Sequence, residues 1–372
     1  MGTTGLVAQA LGAGNDTQAR AAFYRALLIG SLIGFTLLIL NSPITHLAFS
    51  IIEGSEAVEN AALTYFQIRI WGAPLSLALL AIIGYLLGQQ DTRSILVIQL
   101  LLNCTNIILD IVFVMGFNLG VAGVAAATVI AEFLAFATGM MIVLGRMKQR
   151  KHGLKIDLDQ LLDTVALKRM FVVNRDIMIR TLCLIFAFAW FTNEGAKSGD
   201  ILLATNAILM QFVTFSAFFL DGFALTAESL VGNAIGAGKK RQLNESIKVT
   251  TQLAFITALA LSILFMLIGS PIISLLTNVT EVREAASDYL PWVIAAPVLS
   301  IWCYLLDGIF IGATRTAEMR NAMVISLLAY MLGWWVLAAN FGNHGLWASL
   351  MFYFIARAAS LFFYLPRITR SL

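Results

Sequence analysis

Charge is scarce in this chain. Asp, Glu, Lys and Arg make up 12% of its 372 residues, whereas a soluble domain carries roughly 25%. So little polar surface cannot cover a soluble globule. Cysteine is also rare, and Cys104, Cys183 and Cys303 stand isolated inside apolar runs. Without a CxxC or Cys/His spacing, neither a metal site nor a disulfide framework has support. The three histidines, His46, His152 and His344, are equally scattered. A P-loop, a nucleophile elbow and an HExxH pattern are all missing, which argues against an enzyme and against a resident cofactor or metal. A net charge of +3 gives no nucleic-acid footprint. The first residues lack the basic region and longer apolar core of a signal peptide.

Apolar residues are what the chain has: 59% of the total, with mean hydropathy +0.86. The composition predicts an all-α integral membrane protein. Met1 to Gly14 reads as the end of a helix. Apolar spans follow at Ala21–Leu40, Ala61–Leu87 (kinked at Pro74), Ser94–Met115 and Val121–Leu144. The first is interrupted by Asn41-Ser42-Pro43, and an acidic segment with Glu53, Glu56 and Glu59 comes next. A basic run, Arg146, Lys148, Arg150, Lys151 and Lys155, then opens a linker. Six more spans lie near Met170–Phe191, Ile201–Leu225, Val249–Ile268, Leu290–Ile311, Ala322–Ala339 and Leu346–Leu365. Each suffices to cross roughly 30 Å of hydrocarbon. Basic residues gather in alternate loops, at Arg20, Arg93, the linker, Lys239 to Arg241, Arg315 and Arg320, and Arg367 and Arg370. The intervening loops hold only Lys197 and Arg283, each among acids. Basic loops stay cytoplasmic, so the linker and C-terminus are expected on that side of a cell inner membrane.

The chain also repeats itself. Leu6-Val7-Ala8-Gln9-Ala10-Leu11-Gly12-Ala13-Gly14 returns as Leu230-Val231-Gly232-Asn233-Ala234-Ile235-Gly236-Ala237-Gly238, 224 positions later. The same offset joins Gly84 to Gly308, Gly88 to Gly312 and Thr92 to Thr316, while Pro74 and Pro297 miss it by one. Duplication of this kind is a common plan of membrane transporters. The expected division is an N-lobe at 1–147, a cytoplasmic linker at 148–167 and a C-lobe at 168–372. About 60 residues between Lys168 and Leu230 have no counterpart before Leu6. The expected parent therefore has twelve spans in two parallel sets of six, and this chain holds ten complete spans plus a partial one.

Ionisable residues inside spans are the site candidates, since each costs about 2.5–3.5 kcal/mol at a helix centre. Asn106 and Asp110, four apart, share one helix face. Asn106 can bond to the carboxylate but cannot neutralise it, so Asp110 suits proton exchange. Thr128 and Glu132 are four apart on the following span. In the second half, Asp176 and Arg180 are expected to form an ion pair within their helix. Asp221 and Glu228 are either site groups or partners of buried arginines. Asp307 either lines a cavity or bonds to backbone. Arg69 and Arg357 are expected to hold the bundle together. The many Met and Phe side chains suit lipid packing or an adaptable apolar pocket.

Three segments, Asn174-Arg175-Asp176-Ile177-Met178-Ile179-Arg180, Leu220-Asp221-Gly222-Phe223-Ala224 and Leu306-Asp307-Gly308-Ile309-Phe310-Ile311-Gly312-Ala313-Thr314-Arg315, resemble the DinF branch of the MATE (multidrug and toxic compound extrusion) family, as does Glu318-Met319-Arg320-Asn321. The resemblance covers the whole chain. It implies two six-helix lobes around a central cavity, in a monomer that exports cationic or amphipathic compounds in exchange for H⁺ or Na⁺. It also implies an acidic coupling residue on an opening span that is absent here. Asn106, Asp110 and Thr128 look like the family's N-lobe cation site. Asp176, Arg180, Asp221, Glu228 and Asp307 are candidates for the cavity or for a C-lobe charge network. The alternative readings are a lipid-linked precursor flippase, for which a strongly basic cavity is expected, and a truncated inactive product.

Overall fold

A computed structural model describes residues 2–49, 55–149 and 158–369. Glu53 and the linker residues Arg150, Lys151 and Lys155 lie outside the described residues, as does Arg370. Among the described residues the chain is helical, with no strand. It divides into two compact units, 3–167 and 168–372.

Unit one begins with α1 (Gly2–Gly12) and α2 (Asp16–Ile39). The Asn15 side chain caps α2 by accepting from the Gln18 amide at 2.9 Å, which satisfies one of the helix's orphan donors. A break at Leu40 separates α2 from α3 (Asn41–Phe49), where Asn41-Ser42-Pro43 starts a new helix. A 3₁₀ turn, Ile70–Gly72, parts α4 (Glu56–Arg69) from α5 (Ala73–Gly88). Pro74 sits in the first turn of α5, where its missing N–H costs nothing. The expected kink at Pro74 is thus a change of helix geometry just ahead of it. Next come α6 (Thr92–Asp110), a π-helical turn at Ile111–Gly116, α7 (Gly120–Lys148) and the short α8 (Leu158–Leu161).

Unit two contains all but the first residues of α9 (Thr164–Lys197), then α10 (Asp200–Gly236), α11 (Lys240–Leu276), α12 (Thr280–Gly312) and α13 (Thr316–Thr369). Among the described residues, eight helical stretches are long and apolar enough to cross a membrane. One of them, α13, bends at Gly342 (φ 55°, ψ −130°) and so forms two legs. The 34-residue α9 also has crossing length but carries more charge.

The repeat extends to single hydrogen bonds. Gly14 and Gly238 both take positive φ, 70° and 65°. Gly14 N–H donates to Leu11 O at 2.9 Å and Gly238 N–H to Ile235 O at 3.0 Å. The next amides reach back five residues, Asn15 to Ala10 and Lys239 to Ala234. This C-terminal cap uses the left-handed conformation that glycine adopts without a Cβ clash. Gln90 and Thr314 match in the same way, at φ 62° and 54°. Packing repeats too. In unit one, a Cβ on Gly88 would meet Val7 Cγ1 at 2.7 Å and Thr4 O at 3.1 Å. In unit two, a Cβ on Gly308 or Gly312 would run into the backbone of Ala224 or Glu228. These glycines bring α1 close to α5, and α10 close to α12, as small residues do in lipid-embedded helix pairs.

Candidate functional site

On α6, Asp110 closes the α-helix and the π-helical turn begins at the next residue. Such turns widen the backbone spiral and are frequent at functional sites. The Asp110 Oδ1 atom is buried and has no hydrogen-bond partner among the described residues. Asn106 does not hold this carboxyl. Its Nδ2 donates instead to Thr128 Oγ1 on α7, at 3.2 Å. The Thr128 hydroxyl donates to Val124 O at 2.9 Å, so its oxygen faces Asn106 as an acceptor. One turn further along α7, Glu132 accepts two hydrogen bonds from Arg69, at 2.9 and 2.5 Å. This fork-to-fork pair ties α4 to α7. Gly72 makes room for it, because a Cβ there would lie 2.6 Å from both Arg69 Nη1 and Glu132 Oε2.

The C-lobe charges are arranged differently. Asp176 and Arg180 do not pair, contrary to the (i, i+4) expectation. Fully buried Asp176 accepts from Arg320 at 2.8 Å, Arg175 at 3.0 Å and Thr316 at 3.3 Å. Arg180 reaches from α9 to α12, where its Nε donates to Asp307 Oδ2 at 2.8 Å. Arg357, on the second leg of α13 and fully buried, donates to the same oxygen. The reason is charge balance. A buried guanidinium needs a counter-ion more than two neighbours on one helix need each other. Asp307 therefore pairs with side chains and not with backbone. A single carboxylate cannot neutralise two arginines, and Asp221 on α10 lies within the electrostatic reach of Arg180, Arg357 and Asp307. Glu228 is 1% exposed, on the stretch of α10 that packs against Gly312.

A polar cluster that the sequence reading did not single out also lies in unit two. Asn206 and Asn343 exchange hydrogen bonds at 2.8 and 3.1 Å, and Trp347 Nε1 donates to Asn206 at 2.9 Å. Its only sequence signal was two amides inside apolar runs, 137 residues apart.

Comparison with known proteins is consistent with this architecture. The MatE family model matches residues 1–112 and 177–336. The chain is 40% identical over 361 residues to DNA damage-inducible protein F of Escherichia coli, covering 97% of this chain and 78% of that protein. It is 26% identical to Protein DETOXIFICATION 44, chloroplastic, of Arabidopsis thaliana, over 79% of this chain but only 55% of the plant protein. Its fold superposes with TM-score 0.91, at 19% identity, on an outward-facing multidrug resistance MATE family transporter of the MOP superfamily, covering all of this chain and 84% of that one. The chain belongs to the MATE family of multi-pass membrane transporters, which are not enzymes.

Proposed function

We propose that this protein is a secondary antiporter of the cell inner membrane. In this reading it exports cationic or amphipathic organic compounds in exchange for H⁺ or Na⁺, with its linker and C-terminus in the cytoplasm. Asp110 binds the coupling ion, while Asn106 and Thr128 supply neutral oxygens beside it. The observation that carries the reading is the buried Asp110 Oδ1 in a membrane span, which among the described residues has no hydrogen-bond partner and no arginine paired with it. A carboxylate in an ion pair is held ionised by its partner. An unpaired one can take a proton and lose it to an arriving cation. Antiport requires that competition, because ion and cargo must not both bind well to one state.

The test is transport in proteoliposomes. A pH gradient should drive movement of a cationic dye, and an ionophore that collapses the gradient should stop it. Asp110→Asn keeps size and hydrogen bonding but removes titration, so it should abolish gradient-driven movement. Dye movement by the variant at the wild-type rate would place the coupling group elsewhere.

A further inference from the structure

At the end of α9 the chain leaves the helix through Gly199, at φ 103°. Beside it, α13 bends at Gly342. Between these two ends lies a cavity of about 320 Å³, lined among others by Glu194, Lys197, Trp334, Trp335 and Asn343. It holds both signs of charge at one spot. The Glu194 carboxylate is largely shielded, its side chain 14% exposed, whereas the Lys197 side chain is 62% exposed. They pair at 2.7 Å, and the Lys197 ammonium lies 5.8 Å from the ring centroid of Trp190. Trp190 packs edge-on against Trp334, centroids 5.0 Å apart. The indole N–H of Trp334 is buried with no hydrogen-bond partner among the described residues. An apolar stripe leaves the cavity along α13: Trp335, Leu332 and Leu328 are each more than 60% exposed. Their spacing puts them on one helix face, a track about 10 Å long at 1.5 Å per residue.

We infer that this cavity binds a bilayer phospholipid with a zwitterionic, primary-amine headgroup. The charges match it group for group. The lipid's ammonium meets Glu194, its phosphate meets Lys197, and one acyl chain lies along Trp335, Leu332 and Leu328. The cavity sits where helices end, at the depth of headgroups, where tryptophan is enriched. The Glu194–Lys197 pair opens at little cost, because Lys197 is mostly exposed and such pairs are weak. A lipid without the amine leaves Glu194 without a new partner. A trimethylated amine offers no N–H to donate.

The test is native mass spectrometry of the protein released from nanodiscs of equal phosphatidylethanolamine and phosphatidylglycerol with matched chains. The wild type should retain phosphatidylethanolamine about tenfold better, the factor expected for one charge-assisted hydrogen bond. Glu194→Gln should erase the preference, while Glu194→Asp should keep part of it. Lys197→Gln should weaken retention of both lipids, since each carries a phosphate. Quenching of tryptophan fluorescence by brominated chains, stronger for phosphatidylethanolamine than for phosphatidylglycerol in the wild type, gives a second reading in intact nanodiscs. Equal retention of the two lipids by the wild type, or an unchanged preference in Glu194→Gln, would overturn the proposal. Displacement of lipid by tetraphenylphosphonium without any headgroup preference would make the cavity a cargo site and also overturn it.

Discussion

In the N-lobe, among the described residues, the Asp110 carboxyl is paired with no arginine and its buried Oδ1 has no hydrogen-bond partner. In the C-lobe, Asp176 is held by Arg175 and Arg320, and Asp307 by Arg180 and Arg357. Yet the lobes share one backbone plan, down to the glycine caps at Gly14 and Gly238 and the close-packing glycines at Gly88 and Gly312. A duplicated scaffold therefore carries two electrostatic designs. A carboxylate locked between cations holds helices together, and removing one member leaves a charge unbalanced in a low-dielectric interior. A carboxylate without a cation adds little to packing but can exchange an ion. The N-lobe contains both kinds, since Glu132 is locked by Arg69 one turn from Thr128.

Breaking the C-lobe lock should have the largest effect. Asp307→Asn strips Arg180 and Arg357 of their shared counter-ion. The expected loss is about 3–5 kcal/mol, read as a sharp fall in melting temperature in detergent micelles. Unchanged melting would show that Arg180 and Arg357 do not depend on Asp307 for their counter-charge. Glu132→Gln should cost less, about 1.5–3 kcal/mol, because Arg69 is partly exposed and can turn toward water. Gly312→Ala adds a Cβ where α12 meets the α10 backbone, and overpacking of that kind costs about 1–3 kcal/mol. The corresponding Gly88→Ala should be milder, because its Cβ would stand farther from its nearest neighbours, Val7 Cγ1 at 2.7 Å and Thr4 O at 3.1 Å, than a Cβ on Gly312 would from the Glu228 carbonyl. Equal losses at the two glycines would blur the difference between the lobes. Asn106→Ala should have the smallest effect on stability, about 1 kcal/mol for one neutral hydrogen bond to Thr128. It should slow dye transport without abolishing it.

Much of the fold was legible because lipid imposes simple rules. Spans must be long and apolar, and the apolar runs match the long helices. The repeat was legible because Gly84, Gly88, Gly308 and Gly312 mark where backbones touch. Ion-pair partners were harder to read. Asp176 and Arg180 suggest each other by spacing alone, but Asp176 pairs with its neighbour Arg175 and with Arg320, and Arg180 pairs with Asp307; Arg320 and Asp307 lie on other helices, more than a hundred residues away. Asn206 and Asn343 escaped notice for the same reason: a polar contact between distant helices has no local pattern. The Asn106–Thr128 bond shows the middle case. The three residues Asn106, Asp110 and Thr128 were found as a group, but the amide bonds to the threonine and not to the carboxylate.

The central claim is that Asp110 gives up an ion when cargo arrives. Proton release measures it most directly. Purified protein in weakly buffered, sodium-free detergent solution is mixed with a cationic dye, and a pH indicator reports the protons freed. The account predicts about one proton released per dye bound by the wild type and by Asp221→Asn, and none by Asp110→Asn. Equal release from Asp110→Asn and the wild type would contradict it.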